Sequence, residues 1–158
     1  MRASSAGNRR GFTLVEILIV VIILGILASI IIGLFSNSSR DAGFSALRDD
    51  CRTVRNAIQV YLAQHAGYPA LATFDAQMTQ YTDATGNVSA TRTGSYVYGP
   101  YILQMPPLPA GTDKGKTTVT SMTYSAGYGW QYNANTGAFR ANCPDTDVDA
   151  NNIALNTY

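Results

Sequence analysis

The apolar pattern begins with one long stretch. From 17 to 35 no residue is charged, and most are aliphatic. Wound as a helix, that stretch spans about 28 Å, close to the hydrocarbon thickness of a bilayer. A polar interval poor in helix formers follows at 36–43 and predicts a bend or loosened turn. Gly33 weakens the same helix and offers flexibility without a fixed kink. Apolar residues then return at helical spacing: Phe44, Leu47, Cys51, Val54, Ile58, Tyr61 and Leu62. Arg48, Asp49, Arg52, Arg55, Asn56 and Gln59 fall off that stripe. The pattern predicts an amphipathic helix laying one face on a globular head. Gly67-Tyr68-Pro69 ends it. His65, the sole histidine, extends the stripe and reads as a packed or capping residue, with no carboxylate or thiol beside it in sequence.

Past 67 the periods shorten. Phe74, Met78 and Tyr81 predict a short helical piece, and 83–94, rich in Thr, Ser, Gly and Asn, predicts a loop. Tyr96 and Tyr98 fit one face of a brief extended segment before the Gly99-Pro100 turn, and Pro106, Pro107 and Pro109 oppose regular structure around them. Residues 117–124 are β-branched and aromatic and predict a strand. Residues 129–132 and 138–140 flank a loop ending in Gly137, which predicts a hairpin. The expected fold is α+β, a long N-terminal helix packed on a small antiparallel sheet. The expected divisions are 1–11, 12–35, 36–66 and a head at 67–158.

Composition sharpens the N-terminal reading. Charged residues are 13% of the 158, about half the usual share, and the apolar stretch accounts for much of the deficit. The net charge of +1 conceals an asymmetry. Arg2, Arg9 and Arg10 precede the stretch, while beyond residue 11 ten acidic side chains outnumber the basic ones. Basic residues stay on the cytoplasmic side of an inserted helix, so a cytoplasmic N-terminus and an exported head are expected. No basic run is dense enough for nucleic acid. Cys51 and Cys143 both fall on the exported side, where a disulfide persists, so they are a candidate pair. The competing reading is two free thiols. No catalytic carboxylate pair, zinc spacing, glycine loop of a nucleotide site or nucleophile–histidine arrangement is present in the pattern.

A secretory signal would carry a shorter apolar run and a small-x-small cleavage site, whereas a plain signal anchor fits the length. One residue fits neither. Glu16, the only glutamate, stands at the start of the apolar run, and no basic residue lies within that run to pair with it. A carboxylate in a membrane costs on the order of a few kcal/mol and marks function by default. Gly11-Phe12-Thr13-Leu14-Val15-Glu16, followed by the apolar run, resembles the class III signal of type IV prepilins and type II secretion pseudopilins. The resemblance implies a prepilin peptidase that cuts between Gly11 and Phe12 and methylates the new Phe12 amine. It implies that Glu16 pairs with the amine of a neighbouring subunit. A filament neighbour offset along the axis can present its amine to Glu16, and such a pair would also fix axial register.

Gly99-Pro100-Tyr101-Ile102 through Met105-Pro106, with Gly129-Trp130-Gln131-Tyr132-Asn133 and Thr136 to Asn142, is similar to the head of G-type major pseudopilins. That similarity implies a subunit of a secretion pseudopilus in the inner membrane, single-pass, with its head in the periplasm. Its implied partners are copies of itself, minor pseudopilins and the inner-membrane assembly platform. A type IV pilin for adhesion, motility or DNA uptake is the alternative, and an anchored exported binding module is the second. G-type pseudopilins bind calcium near the end of the head, and the alternating Asp145, Asp147 and Asp149 are the candidate ligands here. Ala150 stands where such a loop needs glycine and no glutamate closes the site, so the residues favour a solvated acidic tail.

Overall fold

The computed structural model describes residues 11–158, and within them all side chains except those of 33–37. The leader residues 1–10, with Arg2, Arg9 and Arg10, lie outside the described residues. Two compact units divide the chain, one ending at Ser39 and the other Arg40–Tyr158.

Helix α1 runs Leu14–His65. Helical hydrogen bonding continues through Gly33 and through 36–43, so that polar interval does not end the helix. Polar side chains lower helix propensity by only tenths of a kcal/mol each, too little to end a helix extended from both sides. The helix stops at Ala66, whose φ of 54° is left-handed, with its N–H still bonded to the Leu62 carbonyl. That places the reversal one residue before the glycine the sequence pointed to. In the second unit the stripe buries as its spacing requires. Leu47, Cys51, Val54, Ile58 and Tyr61 are each 2% exposed or less, while Arg48, Arg52, Arg55 and Gln59 face solvent.

A 3-10 turn, Leu71–Thr73, leads into α2, Phe74–Thr79, which buries Phe74 and Met78. β1, Tyr81–Thr82, pairs antiparallel with β2, Val88–Ser89. Tyr81, expected to extend the helical piece of Phe74 and Met78, is a strand residue because α2 ends at Thr79, and β2 lies within the segment 83–94 whose composition predicts only a loop. Asp83 organises the reversal by accepting bonds from the Thr85 and Asn87 backbones and side chains. Tyr98 adds a single bridge to Thr82.

The second sheet has the order β3-β4-β5: Val119–Thr120, Trp130–Tyr132 and Phe139–Ala141. The hairpin β4–β5 is antiparallel, with Trp130 opposite Ala141 and Tyr132 opposite Phe139. Gly137 (φ 71°) closes its loop, and a Cβ there would lie 2.3 Å from the Tyr68 ring. β3 pairs with β4 in parallel, so this sheet is mixed and not wholly antiparallel. A parallel return normally needs a long crossover. Here it is made by two polar anchors. Asp113 accepts from the Gly127 N–H (2.8 Å) and the Tyr124 hydroxyl (3.1 Å), and Asn142 holds Ser125 and Tyr128. Gly129 lets the strands approach, since a Cβ there would stand 2.1 Å from the Lys116 carbonyl oxygen. Trp130, Tyr132, Phe139 and Phe74 stack over the buried face of α1, forming the core of an α+β, pilin-like head.

Candidate functional site

The first unit carries the site. Thr13 and Glu16 cap the start of α1. The Thr13 N–H (2.8 Å) and hydroxyl (3.0 Å) both donate to Glu16 Oε2, and the Glu16 N–H donates back to Thr13 Oγ1 (3.2 Å). This reciprocal box satisfies helix-start donors that otherwise have no partner. The Thr-x-x-Glu spacing of Thr13 and Glu16 is the sequence signature of such a box. The box uses one carboxylate oxygen. Oε1 has no partner among the described residues. The stretch Leu14–Ile32 is long and apolar enough to cross a membrane, and none of it is buried within the chain. Phe12 is 84% exposed. A Cβ on Gly11 would meet nothing within 4 Å, so nothing in this chain's own packing requires glycine there.

The family model for the prokaryotic N-terminal methylation motif matches residues 7–32. The type II secretion system core protein G of Klebsiella pneumoniae is 30% identical over 106 residues, covering 67% of this chain and 72% of the relative. Its counterparts in Aeromonas hydrophila and Vibrio cholerae are each 31% identical, over 66% and 67% of this chain and 69% and 68% of theirs. This chain belongs to the type II secretion core protein G family. No solved structure gives a significant match. Family membership accounts for the joint occurrence of the methylation motif, the unburied apolar helix and the α+β head.

The other candidate residues sit in the second unit. Cys51 and Cys143 are both buried free thiols in one core cluster. The candidate disulfide is therefore open in this structure. The Cys143 thiol points to the Ala110 carbonyl (3.9 Å), and Cys51 lies against the Ala141 backbone. Burial pushes Cys51 up to about 11 and Cys143 up to about 12. His65 is packed as its place on the stripe suggests. Its ring stacks on Tyr61 at 3.9 Å, Nδ1 lies 3.0 Å from the Tyr61 carbonyl and Nε2 lies 3.0 Å from the Thr82 hydroxyl.

The three aspartates proposed for calcium do not converge. Asp145 accepts from the Asn156 amide (2.7 Å), and Asp147 accepts from the Thr112 N–H (2.6 Å) and hydroxyl (3.1 Å). Asp149 is 6% exposed and takes an arginine. Among the described residues no group of three or more His, Cys, Asp or Glu is poised to hold a metal. Alternation in sequence placed the carboxylates near one another along the chain, and the turns of 144–153 then point them at different partners. The residues present do not fit a calcium ion.

Proposed function

We propose that this protein is a structural subunit of a type II secretion pseudopilus, anchored in the inner membrane and polymerised to drive protein export. The observation that carries this reading is the unburied helix Leu14–Ile32, led by a carboxylate, in a chain of the core protein G family. Apolar surface of that extent needs lipid before assembly and the same helix of other copies after it. In this reading a prepilin peptidase cuts between Gly11 and Phe12, methylates the Phe12 amine and leaves a cation at the helix start. The open packing around Gly11 supports a requirement imposed by the peptidase and not by the fold. The head faces the periplasm, with minor pseudopilins and the inner-membrane platform as its assembly partners.

The capping box refines the role of Glu16. Oε2 serves its own helix through Thr13, which leaves Oε1 to accept the amine of a neighbouring copy. Two charges that would each be costly in lipid then compensate one another. Mass spectrometry of the membrane-extracted protein should find methylated Phe12 at the N-terminus. Glu16→Gln keeps a carbonyl oxygen for the Thr13 cap but removes the charge. It should be processed normally and fail to crosslink into multimers in membranes. Normal multimers from Glu16→Gln would refute the charge pairing, and an uncut chain would refute the processing step.

A further inference from the structure

We propose that Arg48 is the resident cation of this head, tying residues 143–158 to α1 in place of a bound divalent ion, and that the head is consequently metal-independent. This goes beyond the pseudopilus reading and rests on the Arg40–Tyr158 unit alone.

A carboxylate offers about four lone-pair sites, and at Asp149 all are taken. Oδ1 accepts from the Asn151 N–H (2.8 Å) and the Ile153 N–H (2.9 Å). Oδ2 accepts from the Tyr158 hydroxyl (2.5 Å) and Arg48 Nη2 (3.2 Å). The Asp149 side chain is 3% exposed, so its charge needs a counterion, and Arg48 supplies it from the rim, half in water. The same Nη2 reaches the Tyr158 hydroxyl (2.6 Å), and the guanidinium lies 4.4 Å over the Tyr158 ring centroid. Two turns along the same helix face, Arg55 donates through Nε to the Phe139 carbonyl (2.8 Å) and through Nη2 to the Tyr158 carbonyl. Three features thus meet here: a saturated carboxylate, a fixed positive charge against it, and a tyrosine held at its ring and hydroxyl by Arg48 and at its main-chain oxygen by Arg55. A divalent ion entering this place would displace existing bonds and face Arg48 at close range. The neighbouring Asp145 and Asp147 supply no second anionic centre, because each is turned to a different partner.

The test uses the full chain purified in detergent micelles, with calcium chloride itself as the probe. Wild-type protein in excess calcium and in excess EDTA should melt within about 1 °C of each other, a small fraction of the several degrees that a saturated site produces. Proteolysis within 143–158 should proceed at the same rate in both buffers. Arg48→Ala should lower the melting temperature by the same amount in calcium and in EDTA. Arg48→Lys should recover part of the loss, since it keeps the charge but not the planar fork. A calcium-dependent rise of several degrees in the wild type, or protection of 143–158 by calcium alone, would overturn the proposal. So would an Arg48→Ala variant that melts with the wild type. Should Arg48→Ala not accumulate, the comparison of calcium with EDTA on the wild type still decides the matter.

Discussion

Asn142 is the polar centre on which the parallel return of β3 depends. Its side chain is fully buried and all of its hydrogen-bonding capacity is used. Oδ1 accepts from the Ser125 N–H (3.1 Å) and Gln131 Nε2 (3.1 Å), while Nδ2 donates to the Ser125 and Tyr128 carbonyls (both 2.7 Å). Asn142→Ala removes four bonds at once, but the four do not cost alike. Ser125 and Tyr128 lie toward the surface, and water can replace much of what they lose. Gln131 is 1% exposed, and its amide donor would be stranded. A stranded buried donor costs about 1–3 kcal/mol, and partial losses at the loop bring the total to roughly 3 kcal/mol. For a chain of this length that corresponds to a fall of about 10 °C in melting temperature. Circular dichroism melts of the full chain in micelles measure it, with Asn56→Ala on the exposed face of α1 as the neutral control. Asn142→Asp should be at least as damaging, because a carboxylate would then face two carbonyl oxygens. An Asn142→Ala variant melting within about 2 °C of the wild type would refute this assignment of the network.

Ala66 holds a left-handed φ of 54° at the end of α1 and is exposed. The penalty for a side chain there is about 1–2 kcal/mol and outweighs the added chain entropy of glycine, so Ala66→Gly should raise the melting temperature by a few degrees. On the acid side, hydrogen bonds from Asn87 and Thr85 hold Asp83 down to about 2, and those from Tyr158 and Ile153 hold Asp149 below its usual range. An unfolded aspartate titrates near 3.9, so the stability from both groups is complete above that pH and is lost as pH falls through the depressed folded values, that of Asp83 lying at about 2. Melting temperatures measured from pH 5 downward should show the fall, and Asp83→Asn should flatten it; an unchanged slope would count against the role of Asp83. Cys51 and Cys143, both raised by burial, should ignore a thiol reagent at pH 8 until the protein is denatured and then titrate as two thiols. Rapid native labelling would refute the burial, and missing thiols in the unreduced denatured chain would establish the Cys51–Cys143 bond.

What the sequence made legible was whatever depends on periodicity. The apolar stretch, the stripe from Phe44 to Tyr61 and the hairpin around Gly137 each repeat a spacing that one element imposes on its own residues. What it hid depends on residues far apart in the chain. β3 has only two residues, and its parallel pairing is set by Asp113 and Asn142, neither of which lies in the strand. β1 and β2 are shorter than any period that composition could reveal, and Asp83 arranges them through local bonds. The left-handed reversal that follows α1 falls on Ala66 and not on Gly67, although glycine adopts that conformation most easily. The acidic tail is the sharpest case. Asp145, Asp147 and Asp149 alternate in the sequence as ligands would, yet Asp149 turns to a cation already carried by the chain. Off-stripe positions such as Arg48 read as solvated in any helical projection, since the projection cannot know that Tyr158 will return to cover them. A charge off the apolar stripe therefore becomes informative only once the fold shows which buried carboxylate lies opposite it.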